Sequence, residues 1–110
     1  MIQKQIESSR VRQVKLARRI IKAGARFFGY DERDMTGTAR VQPLCLHRQM
    51  VMAVVKEVST LTLAETGNVF GGRDHGTVLH AIKMATNARA VSKESRGDYD
   101  LIRAIALKLK

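Results

Sequence analysis

The sequence predicts an all-α fold, a helix-turn-helix bundle of about five to six helices. Three observations carry this. Apolar residues recur at three- and four-residue spacing with no sustained alternation for strands. A capping box at Thr62-Leu63-Ala64-Glu65 opens a short apolar segment that ends at Gly71-Gly72. A chain of 110 residues, 45% of them apolar, can close one core without a disulfide or a structural metal. With no Trp, two Tyr and three Phe, that core rests on Val, Ile, Leu, Ala and Met.

In chain order, a first helix is expected from Ser8 to Phe28. Val14, Ala17, Ile21, Ala25 and Phe28 form its apolar stripe, and Arg12, Lys15, Arg18, Arg19, Lys22 and Arg26 crowd the rest of its surface. Residues 1–7 extend it or fray, and Gly29 stops it. One short helical turn lies within Tyr30–Thr36 with Met35 pointing inward. Thr36–Pro43 is a loop containing the chain's only proline. A second long helix follows from His47 to Ser59, with Met50, Val51, Val54, Val55 and Val58 on a broad apolar face. The capped short helix runs from Leu63 to about Phe70. Gly71-Gly72 supply the positive-φ positions of a tight turn, and Asp74 caps a helix from His75 to about Ala88. Val78, Leu79, Ala81, Ile82 and Ala85 make that helix's apolar arc. Gly76, His80, Lys83 and Asn87 fall on the opposite face. A last helix, from about Tyr99 to Leu109, buries Ile102, Ile105 and Leu109. The reading divides the chain into a basic N-terminal helix or linker, residues 1–28, and a helix-turn-helix domain, residues 29–110, joined as one compact unit.

Charge narrows the function class. Twenty Lys and Arg against ten Asp and Glu give +10, and residues 1–26 hold eight of those bases with one acid. A domain this basic suits a polyanion, because each phosphate contact releases condensed counterions. No nucleophile–base pair or carboxylate dyad has suggestive spacing, so no enzyme is expected. Cys45, His47, His75 and His80 match no zinc spacing, so no metal and no cofactor are expected. Cys45 is read as a small core filler in a reducing compartment. No apolar run approaches a bilayer span.

A capped helix, a glycine turn and a second helix with small polar residues in its first turn put that helix's amino end into a major groove. Asp74, His75 and Thr77 can hydrogen-bond base edges there, and a Thr methyl can touch a thymine methyl. Lys83, on the outward face, joins the DNA-facing set.

Residues 44–85 resemble the C-terminal DNA-binding domain of the bacterial DnaA family. The resemblance is tightest in Gly71-Gly72-Arg73-Asp74-His75-Gly76-Thr77-Val78-Leu79-His80-Ala81, against the family's Gly-Gly-Arg-Asp-His-Thr-Thr-Val. Arg48-Gln49 also matches the family's pattern, and a weaker resemblance reaches upstream to about Ala17. It implies a fold akin to the Trp repressor and binding to duplex DnaA boxes in a cytoplasmic, nucleoid-associated setting. It assigns base reading in the major groove to Asp74, His75 and Thr77, and minor-groove entry to Arg40. Arg48 and Gln49 are assigned to backbone and neighbouring bases, and Lys56, Thr62, Leu63 and Arg73 to phosphates. Gly76 stands where the family reads a base with Thr, and the loop around Arg40 is poorer in bases than is usual there. Binding to a related site, weaker or altered in preference, is therefore expected. No Gly-x-x-x-x-Gly-Lys-Ser/Thr loop occurs in these residues, so the family's ATPase module is not among them.

Two other readings accompany this one: a helical module for other replication proteins or a transcriptional regulator with weak DNA binding, and peripheral contact of residues 8–28 with an acidic membrane.

Overall fold

Helix α1 spans Ile2–Phe28 and is followed by α2 (Glu32–Thr36), α3 (Leu44–Val58), α4 (Leu63–Val69), α5 (His75–Val91) and α6 (Lys93–Leu109). These come from a computed structural model describing residues 2–110, with side chains from Ser9 onward. Among the described residues no strand occurs, and no helix is long and apolar enough to cross a membrane.

The centre of the fold is α3. Met50 to Val55 are all buried, as is Val58, so this helix is enclosed on nearly every side. It packs against α1, α5 and α6. The α1 contribution is Leu16, Ala17, Ile20, Ile21 and Ala25, all buried. Gly24 lets α1 approach α3, since a Cβ there would press on the Val51 methyls. Met35 seals the end of the core under α2 and is fully buried, as its spacing predicts.

Several expectations need correction. Helix α3 starts at Leu44, directly after Pro43, because the Gln42 side chain accepts from the Leu46 amide at 3.2 Å and the Val41 carbonyl accepts from Cys45. Helix α6 starts at Lys93, six residues before its apolar spacing begins, because the Ser92 hydroxyl caps the Ser95 amide at 3.1 Å. Cys45 is only half-buried and borders the surface cleft described below.

Leu79 is the largest departure, because it points out of the core and is 56% exposed. Only Val78, Ala81 and Ala85 of α5 are fully buried, so the strip that this helix presents to α3, α4 and α6 is narrow. Leu79 lies about 100° around the helix from Val78, beyond that strip. It shares a face with Gly76 and Lys83 instead.

Candidate nucleic-acid interface

The geometry begins at Thr62. Its hydroxyl accepts from the Glu65 amide at 3.1 Å, and its own amide donates to Glu65 Oε1 at 2.9 Å. This reciprocal cap sets the start of α4. At the other end the Gly67 carbonyl accepts from the amides of Phe70, Gly72 and Arg73 at 2.9–3.1 Å. Gly67 itself has no room for a side chain, as a Cβ would collide with the Arg73 carbonyl. The turn then passes through Gly71 and Gly72, both at φ +82°. At Gly71 a Cβ would also strike the Thr36 carbonyl of α2, so this position needs glycine twice over.

Asp74 starts α5 from extended backbone. One carboxylate oxygen accepts from the Thr77 amide at 2.8 Å and the Thr77 hydroxyl at 3.0 Å. The amide bond above all, then the hydroxyl, holds the Asp74 carboxyl below its ordinary range. A carboxylate offers more lone pairs than these two bonds use, so capping leaves it free to accept from a base. His75, Gly76 and Thr77 are exposed beside it. The amino end of α5 faces solvent, and α1 packs on α2, α3, α4 and α6, away from it.

Two of the assigned arginines are engaged within the fold. Arg48 is buried, and its guanidinium donates to the Asp34 carbonyl at 2.7 and 3.1 Å and to the Ala39 carbonyl at 2.9 Å. Arg73 donates to the carbonyls of Phe70 and Gly37 and, at 3.3 Å, to that of Thr36. Burial first, then the neighbouring Arg48, lowers the Arg73 pKa from its usual value. Both side chains therefore fasten the loop that presents the exposed Arg40.

A cleft of about 730 Å³ joins these parts. Of the sequence-derived residues, Arg40, Arg48, Gln49, Arg73, Asp74, Gly76 and Thr77 line it. Lys56, Thr62, Leu63, His75 and Lys83 are not among its walls. His75 sits exposed on the first turn of α5, and Lys83 borders a shallow apolar groove with Gly76, Leu79, His80 and Ile82. Thr62 and Leu63 stand at the start of α4, and Lys56 is half-buried in the last turn of α3.

Thr38, Cys45, Met52 and His80 line the cleft too, and none of them is among the residues that the sequence assigns to DNA. His80 had a readable signal, lying four residues after Gly76 and three after Thr77 on one helical face. The others depend on how the loop folds back and had none. Among the described residues no group of three or more His, Cys, Asp or Glu is placed to hold a metal.

This arrangement matches a known family. Residues 17–84 match the family model described as the bacterial dnaA protein helix-turn-helix. The chain belongs to the bacterial DnaA helix-turn-helix family. Relatives include the chromosomal replication initiator protein DnaA of Francisella tularensis subsp. novicida, 37% identical over 83 residues, which is 76% of this chain and 17% of that protein. The DnaA of Neisseria meningitidis serogroup C is 37% identical over 81 residues, 74% of this chain and 16% of that protein. The chain thus spans about a sixth of the length of these DnaA relatives. Its all-helical architecture, with α4, the glycine turn and α5, is the helix-turn-helix of the DnaA family.

Proposed function

We propose that the chain is a sequence-specific duplex-DNA-binding domain that recognises DnaA-box-like sites in replication initiation or its regulation, without ATPase activity, in the cytoplasm at the nucleoid. One observation carries the reading: the solvent-facing amino end of α5 shares a single cleft with Arg40. A helix end of this kind enters a major groove, while a basic loop beside it reaches the adjacent minor groove. Asp74, His75 and Thr77 read base edges in this account, and Gln49 supports them from α3. Thr62, Leu63, Lys56 and Lys83 hold phosphates around the reading end. Arg48 and Arg73 act through the loop they fasten, lending it charge and a fixed position.

The test is a titration of a DnaA-box duplex and a scrambled duplex across a salt series. Tighter binding to the box at every salt supports the reading, and equal affinity for both defeats it. Asp74→Ala and His75→Ala should erase the difference, whereas Lys56→Ala should weaken both duplexes alike.

A helical protein-interaction module is the second reading, favoured by Leu79 standing exposed beside Ile82 on the outward face of α5. A replication protein captured equally well by Asp74→Ala, His75→Ala and parent chains, but not by Leu79→Ser, would support it.

A further inference from the structure

The exposed face of α1 takes no part in the site above. Arg12, Lys15, Arg18, Arg19, Lys22 and Arg26 are all exposed. At 100° per residue they fall within a sector of about 120°, and from Arg12 to Arg26 they run about 21 Å along one line. No acidic residue interrupts that stretch. Among the described residues none of the six is in an ion pair. Of the acids on other elements, Glu65 pairs with Arg10, Asp31 with Arg33 and Glu57 with Arg103, and those left on α2 and α6 pair with none of the six. The Arg19 guanidinium does donate to the Leu109 carbonyl at 3.3 Å, which brings the α6 terminus alongside. There Lys110 joins Arg12, Lys15 and Arg19 around a shallow cleft.

The chemistry of this face selects among polyanions. A helix that lies in a bilayer surface needs a free apolar face. The α1 apolar stripe is spent on α3 and α6, and Val11 is the only large apolar residue it exposes among the described residues. Single-strand binders need aromatic platforms for the bases. The exposed side of α1 carries none, since Phe27 and Phe28 pack against the core. What remains is a straight, rigid row of cations about six base pairs long, suited to a duplex backbone with one charge per about 1.7 Å of axis. The row also belongs to a helix that packs on α2, α3, α4 and α6 and has no extensive contact with α5.

We propose that the α1 face is a second, sequence-independent binding surface for duplex DNA, so that one chain holds two DNA segments at once. Nothing in this surface depends on how α5 reads its bases.

The experiment uses the 110-residue chain with random 30-base-pair duplexes carrying either an energy-transfer donor or an acceptor. At 50 mM salt the parent should bring donor and acceptor duplexes together, with two duplexes per chain by mass. Binding of the second should weaken about a thousandfold by 200 mM salt. The variant Lys15→Gln/Arg18→Gln/Lys22→Gln/Arg26→Gln keeps good helix formers and spares Arg19. It should lose the transfer while its helical signal and its preference for box over scrambled duplex stay unchanged.

Undiminished transfer in the variant overturns the proposal, as does saturation of the parent at one duplex. Two chains per bridged pair would place the bridge in a dimer instead. Loss of box affinity in step with the neutralised charges would make α1 part of a single footprint. Tighter capture by phosphatidylglycerol vesicles than by duplex would assign the face to membranes. Failure of box recognition is read separately, from the box-to-scrambled ratio, and leaves bridging unaffected.

Discussion

Arg48 and Arg73 fasten the same loop from its two flanks. Arg48 holds the Asp34 and Ala39 carbonyls, and Arg73 holds those of Thr36 and Gly37. Each guanidinium satisfies backbone acceptors that the α2–α3 connection cannot pair by itself, and together they set where Arg40 stands. Both guanidiniums thereby shape the wall of the cleft beside α5.

Removing Arg48 should therefore act on stability and binding together. Arg48→Ala removes a buried guanidinium and leaves the half-buried Asp34 carbonyl and the exposed Ala39 carbonyl without it, which costs about 1–3 kcal/mol. Urea denaturation measures it. Arg48→Lys should rescue little, since an ammonium lacks the planar fork that spans both carbonyls. The double variant with Arg73→Ala should show non-additive losses in a mutant cycle, because both residues support one segment.

Glycine positions separate structural from functional need. At Gly76 an added Cβ would meet only the Asp74 carboxylate, at an ordinary 3.4 Å. Gly76→Thr should fold normally and change box discrimination by about 1–3 kcal/mol, measured as the box-to-scrambled affinity ratio. Gly71→Ala has neither room nor a suitable backbone angle. It should lower the thermal midpoint sharply and loosen α4 from α5.

Asp74 allows capping to be told from base reading. Its depressed pKa means that the folded chain keeps the carboxylate ionised where the unfolded chain would protonate it. The stability it supplies is complete above the ordinary aspartate pKa, about 3.9, and is lost as pH falls through the lower folded value. Carboxyl chemical shifts should place the Asp74 midpoint below 3.9, and Thr77→Ala should raise it. Asp74→Asn should retain the cap yet lose discrimination, because an amide carries no charge to meet a cytosine amino group.

His47 predicts a second pH dependence. Its ring stacks on Phe28 at 3.8 Å between centroids, and Nδ1 shares a 2.8 Å hydrogen bond with the Tyr30 hydroxyl. Burial lowers its pKa, partly opposed by Asp98 and then Glu94. The unfolded chain then binds the proton more readily, so stability is complete above about pH 6.5 and lost as pH falls towards the folded value. The thermal midpoint should drop between pH 7.5 and 5.5, and less so in His47→Gln. A parent midpoint that rises over that range would contradict the assignment.

Local chemistry made much of this protein readable in advance. The Thr62–Glu65 cap, the positive φ of Gly71 and Gly72 and the Asp74 cap each depend on atoms within a few residues of one another. Neighbouring residue types suffice to predict such features. The α6 start at Lys93 is set by an equally local contact, the Ser92 cap, but apolar spacing is silent in so polar a first turn. The candidate reading end of α5 was legible because its residues follow one another in sequence.

Tertiary packing decided the rest. Arg48 is 14 residues from its Asp34 partner, and Arg73 is 36 and 37 residues from Gly37 and Thr36. No local pattern tells a guanidinium that faces phosphate from one consumed by a returning loop. Leu79 fits an apolar arc by spacing, yet the buried strip of α5 is too narrow to include it. Sequence sets which faces of a helix are apolar and where its ends fall. How wide a strip is buried, and which charges remain free, depends on distances between segments that only the assembled fold defines.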